Sequence, residues 1–348
     1  MMKNKPICFG AGLIALDVIL NGSPETLPKL SAGGSCGNVI SILGYLGWNS
    51  NPVARLANNQ AGAELINDLK RWGIHIENIS LNGDGSTPII IHRILKDKSG
   101  KPIHRFEFRD PETKSFLPQF KPITKSIAAE IIHQDSRPQV FYFDRMNPGT
   151  MELATHWRAQ GAVIYFEPSS IKDSHEFEKF LAIADIVKFS HDRIPDFRER
   201  YPSCRCFLEI ETLGTQGIVY RTKSSSAPDQ WKSMKAFALP NIQDAAGAGD
   251  WFTAGIIYQL CSGGIQSLKE AGVTSIKNAL GFGQMLGAFN CLYDGARGLM
   301  YYYQSKKLLS LVDQFVEQKG IDLSGVQARP RIDISTRKTF SELLMSMK

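Results

Sequence analysis

The stretch that decides the fold is NIQDAAGAGDWFTAGIIYQL, residues 241–260. Gly247 and Gly249 permit backbone conformations with positive φ and let another group approach closely. Asp250 follows at the start of an apolar run that predicts a buried helix. A glycine-rich turn with an acidic helix cap is one interpretation. The other is that the bare N–H groups of residues 246–249 form an anion site at the helix start, beside a carboxylate.

The composition indicates a globular protein with a large core. The chain has 348 residues, 43% of them hydrophobic and 21% charged, and its formal net charge of +6 mildly favours anionic ligands. Because the lysines and arginines are scattered and no nucleic-acid-binding signature occurs, a nucleic-acid partner is not expected. The sequence contains no signal peptide, no apolar run of membrane-spanning length and no C-x-x-C pair among its six cysteines. We therefore expect a soluble cytoplasmic protein without a membrane partner.

Short apolar runs alternate with helical patterns along most of the chain. This alternation predicts a parallel sheet with helices on both faces. Residues 88–97 and 102–110 flank KSGK and predict a β-hairpin outside the main sheet. The last forty residues predict a helix, a loop around ARPRID and a second helix. Further strands are predicted over 6–12, 139–145, 162–168, 185–190, 204–214 and 217–222, and helices over 37–48, 61–74, 148–160 and 174–182.

One motif favours a different chemistry. GGSCG, residues 33–37, fits the G-x-S-x-G elbow of serine hydrolases, with Ser35 as the nucleophile. That elbow needs a buried strand immediately before it, and the preceding PETLPKLSA has two prolines and few strand formers. No later acid and histidine stand out as partners, so a hydrolase is the weaker interpretation. The P-loop pattern and the H-E-x-x-H zinc motif are absent.

Two stretches together resemble the ribokinase-like (PfkB-type) carbohydrate kinase family. AGGSCGN, residues 32–38, supplies a Gly-Gly-x-x-x-Asn that leads into a helix. DAAGAGDWFTAG, residues 244–255, is similar to the family's C-terminal signature, usually Asp-Thr-x-Gly-Ala-Gly-Asp. Supporting matches are Asp17 after the first strand, ETLGTQG (211–217) and YDGARG (293–298).

The resemblance covers about residues 5–305. It implies a three-layer α/β/α sandwich with a mostly parallel central sheet and a small β lid over the sugar site. Residues 1–310 would form the kinase domain, with lid segments near 16–32 and 86–112, and residues 311–348 a C-terminal helical extension. It also implies transfer of the γ-phosphate of ATP to a hydroxyl of a sugar or sugar derivative with Mg²⁺. K⁺ and a homodimer through the lid are further expectations.

Carried onto this sequence, the resemblance makes Asp250 the general base that takes the proton from the acceptor hydroxyl. Phosphoryl transfer needs positioning and charge neutralisation more than covalent work by the protein, which suits a helix start with an adjacent carboxylate. The other residues given roles are Ala246, Gly247, Ala248 and Gly249 in the anion hole, Asp17, Gly33, Gly34 and Asn38 at sugar hydroxyls, Thr212, Gly214, Gly217 and Gly295 near the nucleotide, and Asp244 with the loop around Gly295 at a monovalent cation.

Two positions depart from the family pattern. The family has Asn-x-x-Glu after the strand that corresponds to DIVKFS, and here Ser190 and Arg193 stand at the first and last positions. Asp192 is expected to supply the missing acid and to act on Mg²⁺ through water. Ala245 stands where the signature usually has Thr. A non-catalytic sugar-binding relative therefore stays open as an alternative.

The identity of the acceptor is left open. The lid hairpin carries basic side chains, some of which could meet a phosphorylated or carboxylated sugar, although a solvated lid edge is the favoured interpretation. Asp144 and Arg145 end a predicted strand, where such sheets bind ligands, and are expected to touch the substrate or to pair with each other. A nucleoside acceptor is a further alternative. The basic lid residues are His92, Arg93, His104, Arg105 and Arg109.

Overall fold

The computed structural model describes residues 5–21, 27–81, 83–98, 102–223, 230–237, 239–318 and 329–347. Its strands are β1 (Ile7–Ala11), β2 (Ala15–Asn21), β3 (Lys29–Gly33), β4 (Asn49–Leu56), β5 (Ile79–Leu81), β6 (Ile89–Lys96), β7 (Pro102–Glu107), β8 (Val140–Phe143), β9 (Val163–Phe166), β10 (Ile186–Ser190), β11 (Leu208–Thr212), β12 (Ile218–Thr222) and β13 (Lys232–Met234). Its helices are α1 (Ser35–Tyr45), α2 (Gln60–Arg71), α3 (Lys125–Ile132), α4 (Pro148–Ala159), α5 (Ser174–Ile183), α6 (Phe197–Arg200), α7 (Ala248–Leu260), α8 (Gly264–Glu270), α9 (Val273–Asn290), α10 (Gly298–Tyr302), α11 (Ser305–Gln318) and α12 (Phe340–Met347).

The large sheet has nine strands in the order β13-β12-β11-β10-β9-β8-β1-β4-β5. In this spatial order, each pair of neighbouring strands between β11 and β5 is parallel. Strands β12 and β13 extend the sheet beyond β11 with antiparallel pairs. Every residue of β8 and β9 is buried, as expected of strands covered by helices on both faces. The predicted α/β/α architecture with a mostly parallel sheet is confirmed.

A second sheet of four strands, in the order β3-β2-β6-β7, forms the lid. The predicted hairpin is present as β6 and β7, which pair antiparallel and join β2 through β6. Part of the turn between them, residues 99–101, lies outside the described residues. The two chain segments expected to build a small β lid therefore do form one sheet.

The C-terminal segment packs against both the lid and the body. Ser335 forms an antiparallel bridge with Lys29 of β3, and Leu343 of α12 is buried. Helix α11 crosses the boundary predicted between residues 310 and 311, and the division into a kinase domain and an extension stays a prediction. No helix in the described part of the chain is both long and apolar enough to cross a membrane.

Helices α7 and α9 cross at very short distance because glycines face each other. A Cβ added to Gly283 would lie 2.6 Å from the backbone oxygen of Phe252, and one added to Gly255 would lie 2.6 Å from the Cα of Gly283. Helix α7 begins at the glycine-rich signature, so this contact sets where the signature lies in the fold.

We expect Gly283→Ala to destabilise the protein by about 1–3 kcal/mol, because the added methyl must push two helix backbones apart. The matched control is Gly281→Ala on the same helix, whose added Cβ would meet only a methionine methyl at 3.9 Å. Alanine there should leave stability unchanged or raise it by up to about 1 kcal/mol, from helix propensity alone. Urea unfolding of both variants checks this, and equal stability of the two would contradict the packing argument.

Candidate active site

One hydrogen bond joins the two sequence motifs. Asn38 lies on α1 and donates from its Nδ2 to the Oδ2 of Asp250 in the first turn of α7, at 2.7 Å. Both side chains are buried. The Gly-Gly-x-x-x-Asn stretch and the Gly-Ala-Gly-Asp stretch therefore lie at one site, although they are about two hundred residues apart.

The start of α7 offers a smaller anion hole than the sequence predicted. Gly247 precedes the helix with a φ of 76°, and a Cβ there would collide with the backbone of Ala296. The N–H of Ala246 donates to Asp244 Oδ1 at 3.0 Å, so its predicted place in the anion hole is wrong. Within the described part of the chain, the N–H groups of Gly247 and Gly249 have no acceptor. These two N–H groups are therefore available to an anion.

The N–H of Ala248 is less available to an anion than the N–H groups of Gly247 and Gly249. Its N–H already donates to the carbonyl of Ala245 at 3.3 Å, a long bond that closes the turn before the helix. Ala245 occupies the signature's usual threonine position, and both alanines line the cleft beside the helix start. Ala248 thus shapes the cleft wall and keeps the turn closed.

Asp250 has the electrostatic character of a base. Burial, and after it the negative charge of Glu167, raise its pKa to about 8. Lys188 and the Asn38 hydrogen bond oppose this rise. A carboxyl group whose pKa lies near neutrality can both accept and release a proton under physiological conditions.

A lysine that the sequence analysis did not identify holds the first turn of α7. The Nζ of Lys188 on β10 donates to the carbonyl of Gly249 at 3.0 Å, to Glu167 Oε1 at 2.5 Å and to Thr253 Oγ1 at 3.1 Å. Glu167 also accepts from Thr253 at 2.7 Å. A signal was available, because Lys188 interrupts a buried strand and Glu167 follows the end of β9, where ligands bind in such sheets.

The acceptor side of the site is built around Asp17 on β2. Burial raises the pKa of this carboxyl to about 7, Arg297 lowers it, and Asp244 and Asp68 raise it. Gly33 lies directly against the carboxylate and leaves no space for a side chain. Gly34 follows with a φ of 75°, and its carbonyl accepts the N–H of Asn38 at 2.8 Å. The four residues predicted at sugar hydroxyls are thus neighbours of one another.

Arg297 and Asp68 form a buried ion pair that no sequence motif indicated. The guanidinium contacts Asp68 Oδ2, which also accepts the N–H of Ala32 beside Gly33. Arg297 is the arginine of the YDGARG stretch (293–298), and it opposes the negative charge of Asp17. Through the N–H of Ala32, this ion pair fixes the backbone next to Gly33, which lies against the Asp17 carboxylate.

Asp144 and Arg145 pair with each other. Asp144 Oδ1 accepts the N–H of Leu13 at 2.8 Å, and its Oδ2 lies 3.0 Å from Nη1 of Arg145. Burial raises the pKa of Asp144 to about 6, and Arg145 lowers it. Of the two expectations for these residues, the structure shows the ion pair, and contact with a substrate stays a prediction.

A cleft of about 320 Å³ opens on the other side of the helix start. Its walls are mainly apolar, which suits a planar base, and its floor reaches Gly249. Gly295 has a different position, because its N–H donates to Asp244 at 2.9 Å. The predicted nucleotide residues Thr212, Gly214 and Gly217 line the cleft with Ser190, Asp192, Phe237, Ile242, Phe252 and Gln284.

The cleft also contains the altered Asn-x-x-Glu position. Asp192 is exposed and lines the cleft, whereas His191 turns away to Glu211 at 2.6 Å. No group of three or more His, Cys, Asp or Glu side chains among the described residues could hold a metal ion alone.

Each oxygen expected to bind a monovalent cation already accepts an N–H group. Asp244 accepts one N–H on each carboxylate oxygen, from Ala246 and Gly295. The carbonyls of Ala246 and Gly295 both accept from Nδ2 of Asn290, at 3.0 and 3.2 Å. A K⁺ ion bound here would have to share each of these oxygens with an N–H donor.

The basic lid residues divide into two groups. His92 is 1% exposed and lies 3.4 Å from Asp244 Oδ2, so the edge interpretation is wrong for this residue. Arg93 and Arg105 pair with Glu107 on the outer part of the lid, as a solvated edge would. Arg109 lies over the ring of an exposed phenylalanine. The side chain of His104 lies outside the described residues.

Ser35 lacks the surroundings of a hydrolase nucleophile. Strand β3 does precede it, so the expectation of no strand there is wrong: pairing with β2 overrides the poor strand propensity of the segment. Strand β3 belongs to the lid rather than to the main sheet. Among the described residues, no histidine or acid is hydrogen-bonded to the Ser35 hydroxyl.

Comparisons with known proteins agree with this geometry, although no family model matches the chain. Ketohexokinase of Mus musculus is 20% identical over 315 residues, covering 86% of this chain and 100% of that protein. A probable fructokinase-5 of Arabidopsis thaliana is 24% identical over 320 residues, covering 85% and 94%. A crystal structure of fructokinase with bound ATP from Xylella fastidiosa has a TM-score of 0.67 at 19% identity, covering 92% and 100%.

Each of these alignments covers 85% or more of this chain. The chain is thus similar over most of its length to two curated sugar kinases, and it has the ribokinase-like fold of the solved sugar kinases.

Proposed function

We propose that this chain is an ATP-dependent kinase that transfers the γ-phosphate to a hydroxyl group of a sugar or sugar derivative. The observation that carries the proposal is the position of Asp250. Its carboxylate lies between an acceptor-side group, Asn38, and the open N–H groups of Gly247 and Gly249. A hydroxyl bound near Asp17 and a phosphate bound at the helix start would therefore meet at this carboxylate.

In this proposal the reaction proceeds by positioning and charge stabilisation. Asp250 accepts the proton of the attacking hydroxyl, and its raised pKa makes that carboxylate a stronger base than a solvated one. The N–H groups of Gly247 and Gly249 stabilise the charge that develops on the transferred phosphoryl group. Lys188 holds the turn that carries Asp250 and these N–H groups, because it donates to the carbonyl of Gly249.

ATP and Mg²⁺ are the cofactors of this proposal. The 320 Å³ cleft with apolar walls suits the base, and Thr212, Gly214 and Gly217 bring backbone groups toward the phosphates. Mg²⁺ would neutralise charge on the β- and γ-phosphates, with Asp192 acting on its water ligands. Ser190 and Asp192 together stand in for the family's Asn-x-x-Glu.

A ketohexose is the first acceptor to test, because the two curated relatives are named ketohexokinase and probable fructokinase-5. ADP formation should be measured with ketohexoses, other sugars, sugar phosphates and nucleosides. Activity with a sugar supports the proposal. Activity with nucleosides alone would favour the nucleoside alternative, and ATP and sugar binding without turnover would favour a non-catalytic relative.

We also propose a homodimer formed through the lid. The lid hairpin and the segment after it expose large apolar side chains, including Phe108, which is 54% exposed. Leu95 and Ile103 lie opposite each other in the hairpin register and share one face, and exposed apolar surface of this kind is typical of an interaction site. The molecular mass in solution tests this part of the proposal. The exposed side chains are Leu95, Ile103, Phe106, Phe108 and Phe116.

We expect Asp250→Asn to lower the turnover number by about 10²- to 10⁴-fold, because the amide cannot accept the hydroxyl proton. The variant keeps the shape of the side chain, so its melting temperature and ATP affinity should stay close to those of the wild type. Turnover is measured on the best acceptor. Near-normal turnover would refute the base assignment, and loss of the folded state would favour a capping role instead.

We expect Asp192→Ala to raise the Mg²⁺ concentration needed for half-maximal activity by about tenfold or more, since outer ligands of a metal commonly contribute that much. The matched control is Asp196→Ala on the same loop, because Asp196 pairs with Arg200 and does not line the cleft. The control should leave the Mg²⁺ curve unchanged. An unchanged curve for Asp192→Ala would remove that residue from the site, and full wild-type activity in excess chelator would refute the need for Mg²⁺.

A further inference from the structure

A buried histidine of the lid contacts the carboxylate that holds the anion-hole loops. His92 lies on β6, opposite Ile19 of β2 and Phe106 of β7, and its ring lies 4.8 Å from the ring of Phe106. Its Nε2 is 3.4 Å from Asp244 Oδ2, and the two side chains are 1% and 0% exposed. This contact joins the lid directly to the segment that precedes the helix start.

Asp244 connects the two loops that shape the anion hole. Its Oδ1 accepts the N–H of Ala246, the residue before Gly247, and its Oδ2 accepts the N–H of Gly295. Asn290 holds the same two residues through their carbonyls. Any change in the position of this carboxylate therefore moves the backbone that leads into the anion hole.

The buried carboxylate of Asp244 also has an unfavourable electrostatic effect on the site. A buried negative charge three residues before Gly247 opposes the binding of a phosphoryl group there, and it raises the pKa of Asp17 as well. The resemblance to the carbohydrate kinases implies a monovalent cation beside Asp244. Here the oxygens that such a cation would need already accept N–H groups, and an imidazole lies against the carboxylate instead.

We propose that His92 is a positioning residue that replaces the monovalent cation, so that the anion hole is held by a lid side chain and does not depend on K⁺. This inference rests on the proposed kinase function for its activity readout. Because β6 belongs to the lid, it also makes the anion hole complete only when the lid lies against the body. The contact thereby links acceptor binding under the lid to the geometry of phosphoryl transfer.

The test compares wild type, His92→Gln, His92→Leu and the control Arg105→Leu in K⁺ and in choline at equal ionic strength. Glutamine keeps an N–H donor, leucine removes it at similar volume, and Arg105 is an exposed residue of the same hairpin. Turnover number, Michaelis constants and melting temperature are measured for each. The melting temperature reports a cation that binds only the folded state, whether or not turnover occurs.

We expect wild-type turnover and melting temperature to be the same in K⁺ and choline. His92→Leu should lower the turnover number by on the order of tenfold to a hundredfold, with a smaller change in the acceptor Michaelis constant, since the anion hole acts on the transition state. His92→Gln should recover most of that loss, and Arg105→Leu should match the wild type.

Activation of the wild type by K⁺, or a higher melting temperature in K⁺ than in choline, would overturn the proposal. Normal turnover of His92→Leu would overturn it equally. If no protein in the set, wild type included, phosphorylates an acceptor, the proposed function fails. The His92 inference would then be decided by melting temperatures alone: a wild type insensitive to K⁺, a destabilised leucine variant and a stable glutamine variant support it.

Discussion

The hydrogen bond between Asn38 and Asp250 is the interaction on which the site depends. It joins α1, which begins at the lid, to α7, which begins at the anion hole, with both partners buried. A buried carboxylate without such a donor would be costly to keep in place. The two glycine-containing turns, at Gly34 and Gly247, bring these side chains within reach because each adopts a positive φ before its helix.

Around this bond the structure concentrates buried acids that the fold must balance. Asp250, Glu167 and Asp144 are each paired or hydrogen-bonded, and Arg297 lowers the pKa of Asp17, yet burial raises the pKa of Asp250, Asp17 and Asp144. The balancing cations are Lys188, Arg297 and Arg145. Clusters of buried acids with raised pKa values are typical of functional sites, where stability is lost in exchange for reactivity.

Much of the fold could be predicted from the sequence, for identifiable reasons. The alternation of apolar runs and helical patterns indicated the parallel sheet. The apolar run that follows Gly249 predicted helix α7. Strand β3 was not predicted, because pairing with β2 rather than local propensity makes it a strand. Lys188 and Glu167 were missed because Lys188 lies inside an apolar strand, Glu167 follows the end of another, and no short motif contains both. His92 was assigned to a solvated edge because hairpin alternation does not tell which face meets the body, and the ion pair of Asp68 with Arg297 joins residues 229 positions apart.

The most direct test of this account is a double-mutant cycle on the Asn38–Asp250 contact, measured as the rate of phosphoryl transfer with ATP and acceptor both saturating. Saturation removes any contribution that Asn38 makes to binding the acceptor. The account predicts that Asn38→Ala slows transfer by about tenfold or more in the wild-type background, the usual effect of losing a hydrogen bond to a charged group. In the Asp250→Asn background it should have little further effect, because the base that Asn38 positions is already lost. An equal slowing in both backgrounds would mean that the two residues act independently, and would contradict the account.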